Sequence, residues 1–174
     1  MIECHKVDSK NIEAVLLFKR EQLIYDIRNL AYVEGDIMPE AQQHERHTVQ
    51  DIGEAGNIDR VTRIFDLALS ECSEWLYPFT KRRIYRECLD DRLTEKKVYS
   101  IFMRVPKDFS QTTLNAIENL VHEYLVCSAL ADWLSIANPK KAAVWKEKTE
   151  ELKTAIKNKP RLRRNRLRIS QHPF

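Results

Sequence analysis

The chain has 174 residues, of which 43% are hydrophobic and 32% are charged, and its formal net charge is +3. This length predicts one domain with a core of its own, and the composition is ordinary for a soluble protein. The first ten residues lack the apolar stretch of a secretory signal, and the most apolar run, Leu125–Ala137, is too short and too polar to span a bilayer. We expect synthesis in a reducing cytoplasm and no membrane partner.

The net charge conceals an asymmetry along the chain. Residues 157–174 hold seven of the 29 Lys and Arg residues and no acid, which leaves 22 basic against 26 acidic residues elsewhere. This segment, called the basic arm below, is therefore an appendage on a slightly acidic body.

Periodicity predicts a first helix over Asn11–Glu34, with Gly35 as its C-terminal cap. Its apolar stripe is Ile12, Leu16, Leu23, Ile27 and Leu30. A short extended stretch at Ala14–Phe18 is the alternative for the beginning of this segment.

Residues 35–56 contain all three glycines and predict a polar surface loop. His44 and His47 lie there at helical spacing, but no third ligand follows at metal-binding distance, so a surface loop is favoured over a metal site.

The strongest helical pattern follows Asn57, which is a good N-cap, and it ends at Pro78. Its apolar positions are Ile58, Val61, Ile64, Phe65, Ala68, Leu69, Cys72, Trp75, Leu76 and Phe79. Core packing is favoured here over an aromatic ligand pocket formed by Trp75, Tyr77 and Phe79.

The period changes to two near residues 82–105. Tyr99, Ile101, Met103 and Val105 alternate with more polar positions, which predicts a strand that Pro106 ends. Arg82–Leu89 is the predicted antiparallel partner. Because a two-stranded hairpin is not stable in isolation, it must pack on the helices or on another subunit.

The longest predicted helix is Gln111–Asn138, with Ser110 as N-cap. From this helix and the preceding one, the residues expected to be largely buried are Phe65, Leu69, Trp75, Val121, Leu125 and Trp133. Asn138 and Pro139 then start a last helix that Pro160 ends, and the short turn predicts an antiparallel pair. The predicted fold is mainly α: a helical bundle with a long central helix, a short antiparallel β-hairpin and a basic C-terminal arm. Residues 1–156 form the helical domain, with the hairpin near 82–105, and residues 157–174 form the arm.

Searches for catalytic and ligand motifs fail. His122-Glu123 begins like a zinc-protease motif, but Val126 stands where the second histidine is needed. Glu118 and His122 are spaced as a surface contact on a helix. The four cysteines show no paired spacing and are predicted to be reduced and buried. We therefore predict no enzyme, no catalytic residue, no bound metal and no cofactor.

The basic arm has the most distinctive chemistry of the chain. Its candidate assembly or phosphate contacts are Arg161, Arg163, Arg164, Arg166 and Arg168, because arginines neutralise phosphates without reading sequence. Its candidate apolar anchors are Leu162, Leu167 and Ile169. A disordered solubilising end and docking on an acidic neighbouring subunit are the alternatives, and the apolar anchors favour docking on protein, nucleic acid or both.

Two long segments resemble the head-to-tail connector, or ring, proteins of tailed bacteriophages, and most closely those of crAss-like phages. They read DIGEAGNIDRVTRIFDLALSECSEWLYPFTK and DFSQTTLNAIENLVHEYLVCSALADWLSIANPKKAAVWKEKTEEL. The resembling combination is a helix ending in a YPFT-like turn, a short β segment, a long EYLV…ADWL helix, an AxxW charged helix and an Arg-rich end. It covers roughly residues 10–170.

The resemblance implies a structural virion protein at the head–tail junction. Such proteins form rings, usually twelvefold, below the portal, extend the DNA channel and dock the tail. The implied partners are copies of the chain, the portal, other connector or tail proteins, and DNA contacted without sequence specificity. The main alternative is a cytoplasmic nucleic-acid-binding protein that uses the basic arm, although no helix-turn-helix is evident. A small helical enzyme with a hidden site is a third hypothesis.

Overall fold

A computed structural model describes residues 2–6, 11–39, 43–77, 79–81 and 96–160, and for residues 3–6 it describes the backbone only. The described elements are three strands and five α-helices. In chain order they are β1 (Ile2–Lys6), β2 (Asn11–Lys19), α1 (Arg20–Asp36), α2 (Gln43–Gln50), a 3-10 turn (Asp51–Gly53), α3 (Ile58–Trp75), β3 (Val98–Pro106), α4 (Gln111–Ala137) and α5 (Pro139–Asn158). The predicted mainly α fold with a long central helix is confirmed.

The strands form one antiparallel sheet in the order β1-β2-β3, and β1 and β2 make a hairpin. The register places Leu16 opposite Ile101 and Phe18 opposite Tyr99, so the apolar residues of both strands share one face. All four of these side chains are buried. The strand predicted at Tyr99–Val105 is confirmed, and its described neighbour is β2. The predicted partner, Arg82–Leu89, lies outside the described residues.

The prediction of a helix over Asn11–Glu34 is wrong in its first part, and the extended alternative is correct. Asn11–Lys19 is β2, and the helix begins at Arg20, whose N–H donates to the Lys97 carbonyl at 3.0 Å. Gly35 is likewise not the C-terminal cap. It lies inside α1, where an added Cβ would stand 2.7 Å from Cγ of Gln50. Glycine is needed there because α2 packs close to α1.

The prediction of a surface loop over residues 35–56 is also wrong, because α2 and the 3-10 turn occupy half of this range. Val49 and Ile52 are buried and anchor this region in the core. The Trp133 indole N–H reaches the Thr48 and Val49 carbonyls, at 3.2 Å each, so the long helix α4 fixes the end of α2. The turn after α2 is thereby placed beside α1.

The long helix α4 is the centre of the bundle, and α1, α3 and α5 all pack on it. Its buried residues occur on several sides of the helix: Thr113, Leu114, Ile117, Val121, Tyr124, Leu125, Val126, Cys127, Ala129, Leu130, Ala131 and Leu134. By length and composition α4 could cross a membrane, but half of its most apolar window is buried inside the protein. Core packing therefore accounts for much of its apolar character.

The expected core residues Phe65, Val121 and Leu125 have no exposed surface. Leu69, Trp75 and Trp133 are only partly buried and pack against the edge of the core. The last helix begins as predicted, since Asn138 Oδ1 accepts a hydrogen bond from the Lys141 N–H at 3.3 Å. It continues to Asn158, and Pro160 is buried, so residues 157–160 pack with the helical body.

Candidate assembly surfaces

All eight residues assigned to the basic arm as contacts or anchors lie outside the described residues, which end at Pro160. The structure does describe the point from which they continue. Nζ of Lys157 is 5.3 Å from the centre of the Trp75 ring, and Nζ of Lys153 is 5.7 Å from it. Two cation–π contacts thus hold the last turns of α5 against the end of α3.

Trp75 is itself positioned by α4. Its ring meets the Tyr124 ring edge-on at 4.9 Å, and the Tyr124 hydroxyl donates a 2.7 Å hydrogen bond to Glu71. Burial, together with this hydrogen bond to a carboxylate, raises the pKa of Tyr124 above its ordinary value. Tyr124 therefore stays neutral near physiological pH. Its contacts, with those of Trp75, join α3, α4 and α5 at the point where the described chain ends.

A second feature is the outward side of α1. The inward side is buried through Leu23, Ile27 and Ala31. The outward side nevertheless carries large apolar groups, with exposed fractions of 65% for Tyr25, 60% for Tyr32, 47% for Val33 and 69% for Ile37. Tyr25, Tyr32 and Val33 lie within about 100° of one another around α1, and Ile37 follows directly as the C-terminal cap of the helix. We call these four residues the α1 apolar face.

The α1 apolar face borders a cleft of about 510 Å³ between α1 and the turn that follows α2. This α1 cleft is lined by Tyr25, Arg28, Asn29, Tyr32, Gln50, Asp51, Gly53 and Glu54. The Arg28 guanidinium donates a hydrogen bond to the Gly53 carbonyl across it. A Cβ on Gly53 would lie 1.9 Å from Nε of Arg28, so a glycine is required for Arg28 to lie over this turn.

The α1 cleft has an acidic wall. The side chains of Asp51 and Glu54 make no hydrogen bond or ion pair with the described part of the chain, whereas Asp36, nearby on α1, pairs with Arg46. Arg28 is the cation of this lining, and its guanidinium is engaged by a backbone carbonyl. Two aromatic faces and two unpaired carboxylates are suited to a cationic, partly apolar ligand.

A smaller cleft of about 390 Å³ lies between the sheet and α4, where His122 is half-buried. Its ring nitrogen Nε2 is 2.7 Å from Oδ2 of Asp26, and the Gln22 amide donates to Oδ1 of the same carboxylate at 3.0 Å. This pair could not be predicted from the sequence pattern, because 96 residues separate its members. The residues that line this cleft include no Ser, Thr or Cys nucleophile. We therefore interpret the hydrogen bond between His122 and Asp26 as a structural contact between α4 and α1.

His44 and His47, which were considered as metal ligands, have no third ligand beside them among the described residues. His44 and His47 lie exposed on α2, and the described residues contain no group of three or more His, Cys, Asp or Glu that could hold a metal ion. Glu123, the second residue of the incomplete protease motif, instead accepts hydrogen bonds from Lys148 at 2.6 Å and from Cys127 at 3.6 Å. It fastens α5 to α4.

Two of the four predicted reduced cysteines, Cys72 and Cys127, are confirmed as free and buried. Burial, with the charge of Glu123 beside it, raises the pKa of the Cys127 thiol to about 12. Burial also raises the pKa of Cys72, with the charge of Glu71 as the second cause. Thiols of this kind are unreactive near neutral pH, because the thiolate is the nucleophile.

The described residues thus present two separate surfaces: the end of α5 that leads into the basic arm, and the α1 apolar face with its cleft. The first was expected from composition. The second was missed because the predicted stripe of this segment, which includes Leu23 and Ile27, lies on the buried side of α1, and the exposure of the opposite side depends on tertiary packing. Comparison with known proteins finds no matching protein-family model, no matching curated protein and no matching solved structure.

Proposed function

We propose that this chain is a structural virion protein that forms a ring in the head-to-tail connector of a tailed bacteriophage. In that role the ring lies below the portal, extends the DNA channel and provides a docking surface for the tail. The observation that carries the proposal is the α1 apolar face, in which four large side chains on α1 and its C-terminal cap are between 47% and 69% exposed.

An exposed apolar face of this kind favours an assembly protein over a protein that acts as a monomer. Single exposed apolar residues are normal on a protein surface, but contiguous patches mark interaction sites. Elsewhere on the described surface the exposed large apolar residues are more scattered, as with Leu67 on α3. Contact with a neighbouring subunit would remove the α1 apolar face from water.

The relation between the two surfaces supports a ring. The α1 apolar face and the basic arm differ in chemistry and belong to different helices, so contact between them is heterologous. A heterologous contact repeats from subunit to subunit and produces a closed ring when the rotation between subunits divides a full turn. The resemblance to connector proteins supplies the expected twelvefold symmetry and the portal and tail as neighbours.

DNA in the channel would be contacted through phosphates only. The arginines of the basic arm suit this role, because arginines neutralise phosphates without reading sequence. The proposal assigns no catalytic role and no metal or cofactor to the chain.

Size-exclusion chromatography with light scattering and electron microscopy tests the proposal. Twelve copies of the 20.6 kDa chain give about 247 kDa, and we expect closed rings near this mass. The double variant Tyr32→Asp/Ile37→Asp should shift the protein to smaller species, because it places charge in the subunit contact. Leu67→Asp is the matched control, since Leu67 is 66% exposed on another helix, and it should leave the rings intact.

A protein that remains a 20.6 kDa monomer at high concentration, and forms salt-sensitive complexes with nucleic acid, would contradict the ring proposal. That result would favour the cytoplasmic nucleic-acid-binding alternative.

A further inference from the structure

We infer that the α1 cleft is the docking site for residues 161–174 of a second copy of this chain. The inference rests on the proposed function, because it names what the α1 apolar face meets between neighbouring subunits. The sequence of residues 161–174 indicates that this segment docks on another surface, and the inference identifies that surface as the α1 cleft.

The lining of the α1 cleft matches the side chains of that segment. Arginine stacks on aromatic rings and forms two parallel hydrogen bonds with a carboxylate, and the cleft offers Tyr25 and Tyr32 together with Asp51 and Glu54. Val33 and Ile37 are not part of the cleft lining, but they are exposed near the end of α1 and offer apolar contacts to the leucines and isoleucine of the segment. Such mixed chemistry would be unusual for a purely solubilising end.

The spacings are also compatible. Tyr25 and Tyr32 are two helical turns apart, which is about 10.5 Å along α1. In a segment bound in extended form, residues three positions apart, such as Arg163 and Arg166, are separated by about 10 Å. Neighbouring arginines of the segment can therefore stack on the two rings in turn.

Charge complementarity supports the same pairing. Residues 161–174 contain five arginines and no acid, and the rest of the chain has 24 basic against 26 acidic residues. Asp51 and Glu54 are available because the described residues provide neither with a partner. Arg28 is held on the Gly53 carbonyl and leaves the lining with one more negative than positive charge.

The proposed ring favours a second copy over the same chain, because a contact that repeats around a ring joins neighbouring subunits. The end of α5 is near the level of Tyr25. Lys157 lies over the ring of Trp75, this ring meets Tyr124 on α4, and His122 on α4 meets Asp26 on α1. Fourteen residues span about 46–50 Å when fully extended, so residues 161–174 have the length to reach a neighbouring subunit. Docking in the same chain is the other outcome of the test below.

A photo-cross-linking experiment on the full-length chain tests the inference. We would place p-benzoylphenylalanine at Tyr32, mix protein labelled with ¹⁴N and ¹⁵N, irradiate, and identify cross-linked peptides by mass spectrometry. We expect cross-links from position 32 to residues 161–174 that join peptides of different isotope. The same probe at Leu67, which is equally exposed on α3, is the control and should not capture this segment.

A second measurement tests the chemistry. Asp51→Lys/Glu54→Lys should lower the yield of mixed-isotope cross-links about tenfold, because it replaces two attractive charges by repulsive ones. Glu147→Lys/Glu151→Lys makes the same change in net charge on the exposed side of α5 and should leave the yield unchanged.

Cross-links within one isotope alone would show docking in the same chain and would overturn the inference, as would capture of any other segment or of none. The experiment distinguishes failure of the docking site from failure of the ring proposal. Rings without this cross-link would keep the proposed function and refute the docking site. Mixed-isotope cross-links in open or small oligomers would support the docking site and contradict the ring.

Discussion

At the scale of single residues, Phe65 is the clearest test of the core. Its side chain is fully buried on α3, and it meets the Tyr99 ring of β3 edge-on at 5.6 Å, so it joins the helices to the sheet. Phe65→Ala should lower the free energy of unfolding by about 3–5 kcal/mol, through lost burial and the cavity left behind. Urea denaturation measures this loss. Leu67→Ala, on the exposed side of the same helix, should change it by about 0.5 kcal/mol or less.

The buried thiols predict an alkaline limit to stability. Burial raises the pKa of Cys127 to about 12, whereas an unfolded cysteine titrates near about 8.5. Above the lower value the unfolded chain loses this proton while the folded chain keeps it, so stability falls as pH rises from about 8.5 toward 12. Cys72 contributes in the same direction.

Thermal unfolding followed at increasing pH should show this decline in stability, and the decline should be shallower in Cys127→Ala.

In native protein near neutral pH, iodoacetamide should modify Cys72 and Cys127 slowly, and both should react after denaturation. Rapid modification of either residue in the folded protein would contradict the buried placement.

At the scale of elements, the turn beside α1 predicts a difference between two glycines. Gly53→Ala should displace Arg28 and break its hydrogen bond to the Gly53 carbonyl, at a cost of about 1 kcal/mol. Gly56→Ala is the matched control three residues on, because no atom lies within 4 Å of the position of its added Cβ. Thermal denaturation compares the two variants. Equal melting temperatures would show that Arg28 does not hold the α1 cleft in shape.

Elements with one unambiguous period were predictable, as α3, β3, α4 and α5 show. The strand β2 was not, because Val15 and Leu17 are apolar between the buried Ala14, Leu16 and Phe18. Such a run fits a helix and a strand equally well, and pairing with β3 decides between them. In the same way α2 has little apolar character of its own and is held by Trp133 from 84 and 85 residues away.

At the scale of the whole molecule, the arm is expected to serve assembly and not folding. Pro160 is buried against the described body, so the informative cut that removes the arm is after Pro160. The shortened chain should keep its helical circular dichroism and melt at a similar temperature, and it should assemble poorly and bind DNA less, with weaker salt dependence. Light scattering and particle incorporation measure assembly. An unfolded product, or one that enters complete particles normally, would refute this role.

The sequence by itself determined the mainly α class, the central helix, the buried Phe65, Val121 and Leu125, and the separation of a basic arm from an acidic body. These features depend on local period, capping and composition, which are written along the chain. Only the tertiary structure decided the partner of β3, the conversion of a presumed loop into α2, and the hydrogen bond between Asp26 and His122. It also decided that the described residues leave the outward side of α1 exposed. Such features depend on contacts between residues far apart in sequence. A pattern along the chain does not tell how close such residues are in space.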